Sequence, residues 1–189
     1  MVDPVVRSAA RTAVLVAVPL AVLAGVAVFA LLSGDRSEDP APPASPSPTA
    51  VVATGPVAMP ARELTERQEL VCRALLARLP GQLDGQPQRP VTAGPEQNAA
   101  YGDPAVTLAC GVPPVEVPPT ADVLGMSGVC WYAVAGPDGS VWTTLDREVP
   151  VRVRVPAGYD GPGQQVIEFT DPILETVRPS GTAPTGCRR

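Results

Sequence analysis

Residues 128–155 have the sequence GVCWYAVAGPDGSVWTTLDREVPVRVRV and predict three consecutive antiparallel strands. The segment 136–139, Gly-Pro-Asp-Gly, is a turn signal between two runs rich in β-branched and aromatic residues, a pattern typical of a β-hairpin. From position 149 to 155 valine occupies every second position, with Arg152 and Arg154 in between. This period of two predicts a strand that buries one face and presents arginine on the other.

Two helical segments flank these strands. Residues 61–79 carry apolar side chains at helical spacing, and we expect Glu63 and Arg67 to form an ion pair across one turn. Residues 163–177 repeat the helical spacing, with a break at which Asp171 caps a short helix whose first position is proline. The order of helix, strands and helix predicts an α+β domain, in which a small antiparallel sheet is covered by two helical segments.

An apolar run near the start of the chain predicts a transmembrane helix. Residues 12–34 carry no charged side chain, and the stretch 13–32 alone is long enough for the roughly 30 Å hydrocarbon core. Arg7 and Arg11 precede the run, whereas mostly acidic residues follow it. This bias predicts a cytoplasmic N-terminus at residues 1–11, one crossing of the plasma membrane and an extracytoplasmic remainder.

A cleaved signal peptide is the alternative interpretation of the same run. Cleavage would follow the small-residue pattern that ends at Ala30, and the domain would then be secreted. The run exceeds the usual apolar centre of about 7–15 residues, which favours an uncleaved anchor. Because the first cysteine is Cys72, there is no acylation site of the kind that a lipoprotein needs.

Beyond the anchor, composition separates a linker from a folded domain. Residues 35–60 are rich in Pro, Ala, Ser and Thr, which predicts a semi-rigid spacer of up to about 3 Å per residue. Residues 61–189 then form the extracytoplasmic domain. Its cysteines lack CxxC spacing, and disulfides persist outside the cytoplasm. Of three possible connectivities we favour Cys72–Cys110 with Cys130–Cys187, because the first staples the leading helix to a strand and the second ties the tail to the sheet.

Missing residue types exclude several kinds of chemistry. The chain has no histidine and no lysine, so it cannot build a Ser-His-Asp or Cys-His site, a histidine metal site, a Schiff base or a P-loop. The sequence predicts neither a metal nor a cofactor. Outside residues 1–11 it has 12 basic and 18 acidic residues, a net charge of −6 that does not attract nucleic acid. Arg62, Arg73 and Arg78 are explained more simply as solvated surface of the first helix than as a binding patch.

Several short blocks between about Leu64 and Val177 carry a resemblance to a known family. They are Cys72–Pro80, Arg89–Val91, Ala99–Val106, Cys110–Pro113, Gly128–Tyr132 and Asp146–Val149. In this order they resemble the actinobacterial envelope family called domain of unknown function 3515. The resemblance implies a lipoprotein or single-helix anchor, of which the second fits this chain, and it implies no established activity.

Tyr101, Asp103 and Arg147 are the candidate binding residues. Tyr101 and Asp103 lie in one predicted turn that could present a phenol and a carboxylate together, although an Asp before Pro commonly caps its own backbone. Trp131 and Trp142 are expected to face each other across the hairpin. With so few aromatic residues in the chain, we expect these two in the core rather than in a glycan-binding platform.

A binding role within the cell envelope is the function that these features predict. We expect an accessory or scaffold domain for an envelope protein or a wall polymer, not an enzyme. The rival is an envelope hydrolase that uses Asp103, Asp146 or Glu148, since the last two lie two residues apart on one strand face, as a pair of catalytic carboxylates would.

Overall fold

The structure is a computed structural model that describes residues 54–181 and 185–187. The expected anchor at residues 12–34 and the spacer up to residue 53 lie outside the described residues. Within the described ranges, no helix combines the length and the apolar character needed to cross a membrane. All described residues belong to one compact unit, Ala50–Arg189.

Eight antiparallel strands form one sheet in the order β1-β2-β3-β4-β8-β7-β6-β5. The strands are β1 Gln82–Leu83, β2 Gln86–Arg89, β3 Asn98–Tyr101, β4 Val106–Cys110, β5 Val123–Met126, β6 Val129–Gly136, β7 Gly139–Thr144 and β8 Val151–Pro156. The predicted hairpin is β6–β7, and the alternating valines form β8 between β4 and β7. Gly139 closes the hairpin at φ 121°, where a Cβ would collide with the carbonyl of Val155.

The core lies on one face of this sheet, the inner face. Its alternate positions on β8 are Val151, Val153 and Val155, all fully buried. Three helices cover the inner face: α1 Glu66–Leu76, α2 Pro162–Ile167 and α3 Thr170–Thr176. The described region is therefore α+β, as the sequence predicted, with the second predicted helical segment divided into α2 and α3.

The two tryptophans are buried on the inner face, Trp131 at 0% and Trp142 at 7% exposure. The expectation that they face each other is wrong, because Trp131 pairs with Thr144 and Trp142 pairs with Ala133. They are diagonal neighbours in the core rather than a direct cross-strand pair.

Helix α1 begins later than its apolar pattern indicated. Thr65 caps it, accepting a hydrogen bond from the Gln68 backbone N–H, while the Gln68 side chain accepts one from the Thr65 backbone N–H. Glu63 therefore precedes the helix, and the expected Glu63–Arg67 pair is wrong. Arg67 instead donates from Nη2 to Oε1 of Glu148 over 2.7 Å.

The break in the second helical segment also differs from the prediction. Helix α3 begins at Thr170, and Phe169 occupies the capping position without a side-chain hydrogen bond. Asp171 and Pro172 lie inside its first turn, so the expected cap at Asp171 is wrong. Proline is tolerated there because the first backbone N–H groups of a helix have no intrahelical acceptor.

Both predicted disulfides are confirmed. Cys72–Cys110 joins α1 to β4, and Cys130–Cys187 joins β6 to a 3-10 turn at Thr185–Cys187. The bonded residues are 38 and 57 positions apart in sequence. In the chain-entropy description, loops of these lengths stabilise the folded state by about 4 kcal/mol each.

Part of the expected spacer packs on the sheet. Val57 forms a parallel bridge with Val91, and its carbonyl accepts a hydrogen bond from the Thr92 N–H at 3.0 Å. Asn98 Nδ2 donates to the carbonyl of Pro60 over 3.0 Å. Residues 57–60 thus belong to the folded unit, beside β3.

Candidate functional site

The outer face of the sheet, opposite the core, presents the side chains between the buried valines of β8. The described helices pack on the inner face, because their buried residues belong to the core there. Two short segments lie on the outer face instead. Residues 58–62 lie over β3 and β4, while the 3-10 turn is tied to β6 through Cys130.

A groove of about 360 Å³ runs along the outer face beside residues 58–62. Asn98, Thr107 and Ala109 contribute to its floor from β3 and β4. Three arginines line it, and we call it the arginine groove: Arg62, Arg152 and Arg154.

The described lining of the arginine groove carries positive charge. None of the described residues that line it is Asp or Glu. Of the nine arginines in the described residues, four form ion pairs with carboxylates. The pairs are Arg67–Glu148, Arg78–Glu175, Arg89–Asp103 and Arg147–Asp146. None of the three arginines of the groove has such a partner within the described part of the chain.

The sheet fixes the backbone positions of two of the groove arginines, Arg152 and Arg154. Arg152 lies opposite Ala109 on β4 and Thr143 on β7, and Arg154 lies opposite Thr107 and Val141. Being two residues apart on one strand, Arg152 and Arg154 project to the same face with about 7 Å between their Cα atoms. Arg152 Nε donates to the hydroxyl of Thr143 over 3.3 Å, which leaves its terminal nitrogens available.

The third arginine is positioned through its backbone. Gln97, which is buried, accepts a hydrogen bond from the Arg62 N–H at 3.1 Å and donates one to the Arg62 carbonyl at 3.0 Å. The Arg62 side chain itself is exposed. Arg62 therefore lines the groove from a fixed backbone, and it also lines a second pocket, to which Glu63, Glu69 and Glu96 contribute.

Arg89 shows how a structural arginine on the same sheet differs. Its Nε and Nη2 donate to the carbonyl of Gly55, and its Nη1 donates to the carbonyl of Gly102 over 2.8 Å. Its Nη1 is also 3.7 Å from Oδ1 of Asp103. Arg89 thus ties the N-terminal segment to the sheet, whereas Arg152 makes one described side-chain hydrogen bond, to Thr143.

The candidates Tyr101 and Asp103 lie in different surroundings. Tyr101 is fully buried, its ring centroid is 5.8 Å from that of Phe169, and its hydroxyl donates to the Pro80 carbonyl over 2.8 Å. Burial raises the pKa of Tyr101 to about 12, so the phenol is a neutral core group. Asp103 is exposed and lies beside Arg89. The structure does not present the two as one binding turn.

The candidate Arg147 is a buried brace beside a larger cleft of about 550 Å³. Its guanidinium donates to both carboxylate oxygens of Asp146 and to the carbonyls of Gly128 and Val177. It is only 8% exposed. Because these contacts connect three chain segments, Arg147 holds the fold together and has little capacity left for a ligand.

The carboxylates considered for hydrolysis are each engaged. Asp146 accepts from Arg147 and from the Cys130 N–H, the latter over 3.0 Å. Glu148 accepts from Arg67, and this hydrogen bond holds the pKa of Glu148 below its ordinary value of 4.5. Among the described residues, no group of His, Cys, Asp or Glu could hold a metal ion.

The groove was only partly foreseeable from sequence. The alternation around β8 places Arg152 and Arg154 on the exposed face, but Arg62 was assigned to the solvated surface of a helix. The structure places Arg62 ahead of α1, on the groove wall. Arg78 lies on the surface in an ion pair with Glu175.

Comparison with known proteins gives a family. Residues 16–181 match the family described as "Protein of unknown function (DUF3515)", which covers most of the chain and contains the whole sheet. No curated protein and no solved structure matches the chain. On the extent of this match, the chain belongs to the DUF3515 family.

Proposed function

We propose that this protein is a single-pass membrane protein of the actinobacterial cell envelope, whose extracytoplasmic domain binds an anionic wall polymer through the arginine groove. The uncharged run at residues 12–34 with arginines before it supports the membrane topology. The two disulfides agree with a domain outside the cytoplasm. The binding role depends on the groove.

The observation that carries the proposal is a groove with three arginines, none of which forms an ion pair with a carboxylate among the described residues, in an otherwise acidic chain. Guanidinium groups bind phosphate and carboxylate through pairs of parallel hydrogen bonds, so uncompensated arginines in a groove favour an anionic ligand. The net charge of −6 outside residues 1–11 disfavours anions elsewhere on the surface. A polyanion would therefore concentrate at the groove.

The shape of the site favours an extended ligand over a small ion. Arg152 and Arg154 are spaced along one strand, and Arg62 lines the same groove from the segment ahead of α1. A polymer with an anionic group in each repeat can contact several of these charges at once.

The surroundings of the carboxylates also favour a binding role over hydrolysis. A glycosidase needs two carboxyl groups directed at one bond, one of them protonated. Asp103, Asp146 and Glu148 each lie beside a different arginine, and the pKa of Glu148 is lowered rather than raised. We therefore propose a binding role for the domain.

Sedimentation with isolated cell walls tests the proposal. The full chain, held in detergent micelles with zwitterionic headgroups, is mixed with walls that retain their phosphodiester-linked polymers and with walls stripped of them by hydrofluoric acid. We expect the protein to sediment with the first preparation and to stay in solution with the second. Equal sedimentation with both would point to peptidoglycan or an attached protein as the ligand.

A further inference from the structure

We infer that the ligand of the arginine groove carries sugar rings, and that one of them stacks on Tyr132. The inference rests on the proposed function and specifies its ligand as an anionic glycopolymer. It follows from the side chains that share the outer face with the groove.

Tyr132 lies in the same cross-strand row as Arg152. The register pairs Tyr132 of β6 with Thr143 of β7, and Thr143 with Arg152 of β8. Neighbouring strands lie about 4.8 Å apart, so the Cα atoms of Tyr132 and Arg152 are about 10 Å apart on one face. Thr143 between them is only 3% exposed. A sugar ring on the phenol and its attached anionic group at the guanidinium fit this separation.

The phenol of Tyr132 differs in its contacts from those of the other two tyrosines. The hydroxyls of the other two tyrosines donate to backbone carbonyls, that of Tyr101 to Pro80 and that of Tyr159 to Pro104. Tyr132 is partly exposed, and its hydroxyl makes no hydrogen bond to any residue that the structure describes. An aromatic ring with a free polar end is suited to a ligand that has both an apolar face and hydroxyl groups.

Apolar side chains continue this surface along the strands. Val134 follows Tyr132 on the same face of β6, is 49% exposed and lies opposite Val141. In the same row, Val141 is opposite Arg154. The outer face thus has an apolar strip on β6 and β7 directly beside a basic strip on β8, a combination that suits a charged glycan.

Two described segments flank this surface on the outer face. Gly186 of the 3-10 turn lies against Val123, which is the partner of Tyr132 on β5. Residues 58–60 line the far side of the arginine groove. Between these two segments the outer face carries Tyr132 on β6, Val141 on β7 and the arginines of β8, and this is the path that the inference gives to the ligand chain.

A comparison of two soluble polymers tests the inference. One is poly(glycerol phosphate), and the other is the same polymer with hexose on its glycerol hydroxyls. The full chain in phosphatidylcholine nanodiscs is titrated with each, and the ratio of the two dissociation constants is measured. For the wild-type protein we expect the hexose-bearing polymer to bind about fivefold more tightly, the scale of one aromatic contact.

Two substitutions identify the residue responsible. Tyr132→Leu keeps an apolar side chain and should bring the ratio of dissociation constants to one. Tyr132→Phe keeps the ring and should retain a ratio well above one. Saturation-transfer NMR on the wild-type protein should show the hexose protons, more than the glycerol protons, in contact with aromatic protons. This last measurement needs no variant, and a thermal unfolding midpoint confirms that each variant folds.

The outcomes distinguish this inference from the proposed function. If the wild-type protein binds both polymers equally, the sugar contact is wrong, whereas anion binding stands. If Tyr132→Leu raises the dissociation constants of both polymers by the same factor, the ring supports the sheet and does not contact sugar. That result also overturns the inference. If neither polymer binds, both the proposed function and this inference fail.

Discussion

Arg152 and Thr143 are direct cross-strand partners on the outer face, and the Arg152 Nε–H donates to the Thr143 hydroxyl over 3.3 Å. This hydrogen bond restricts the guanidinium before any ligand arrives. Preorganisation of this kind lowers the entropic cost of binding. Thr143 of the hairpin therefore helps to position the guanidinium of Arg152 in the groove.

Thr143→Val removes the hydroxyl while preserving side-chain shape and strand preference. We expect the dissociation constant for poly(glycerol phosphate) to rise about threefold, corresponding to a loss of about 0.7 kcal/mol. Titration of the full chain in neutral nanodiscs measures this effect. The same substitution should leave the urea midpoint close to that of the wild type, and a large fall in the midpoint would assign Thr143 a mainly structural role.

Arg147 is expected to matter for stability rather than for binding. Arg147→Met deletes the guanidinium that pairs with Asp146 and leaves that carboxylate, whose side chain is 15% exposed, without its partner. We expect a loss of about 3 kcal/mol in the free energy of unfolding, measured with urea. The exposed Arg178→Gln provides a matched control that should stay within about 0.5 kcal/mol. A small effect of Arg147→Met on stability, with a large effect on ligand affinity, would contradict the assignment of Arg147 as a brace.

The Arg67–Glu148 pair makes a prediction about pH. Because the hydrogen bond from Arg67 lowers the pKa of Glu148 in the folded state, the pair stabilises the fold above pH 4.5. This contribution is lost as pH falls from 4.5 through the lower folded pKa. Arg67→Gln should raise the pKa of Glu148 in a carboxyl-carbon NMR titration, and should cost only about 0.5 kcal/mol at pH 7 because solvent screens the partly exposed pair.

Arg78→Gln is the control for that titration, since it removes an arginine from the same region that pairs with Glu175 instead. It should leave the pKa of Glu148 unchanged. If both substitutions shift the pKa equally, general surface charge and not the specific hydrogen bond is the cause.

The sequence predicted the elements whose pattern is periodic and local. The turn at 136–139 and the alternating valines are patterns within a few neighbouring residues. The disulfide pairing was predictable because four cysteines allow only three connectivities. The ends of helices were less predictable. The apolar pattern of the first helix extends upstream of its capping residue, Thr65. Phe169 occupies the capping position of α3 but makes no capping hydrogen bond through its side chain. The sequence also did not reveal the register between β6 and β7, which is why the two tryptophans were expected opposite each other.

The candidate site depended on contacts that no local pattern contains. The groove combines an arginine ahead of α1 with two on β8, and β4 and β7 flank that strand only in the folded sheet. Arg152 and Arg154 were identifiable as exposed. The absence of ion pairs for them among the described residues could not be predicted, because Arg67, Arg78 and Arg89 do pair with carboxylates that are distant in sequence.

The proposed topology predicts where protease acts on cells stripped of their walls. The hydrogen bonds of residues 57–60 should protect the end of the expected spacer, so we expect cleavage upstream of Thr54. The released domain should be soluble, and non-reducing mass spectrometry should show both Cys72–Cys110 and Cys130–Cys187. A protein that begins near Leu31 and is found in the culture medium would instead establish a cleaved signal peptide.

The affinity of the full chain for poly(glycerol phosphate), with and without the groove arginines, tests the central claim most directly. The variant Arg152→Gln/Arg154→Gln is compared with Arg73→Gln/Arg178→Gln, which changes the net charge equally at exposed positions outside the groove. We expect the groove variant to bind at least about tenfold more weakly, since hydrogen bonds to charged groups are lost, and the control to change less than about twofold. Equal weakening in both variants, or undiminished binding by the groove variant, would contradict the assignment of the arginine groove as the binding site.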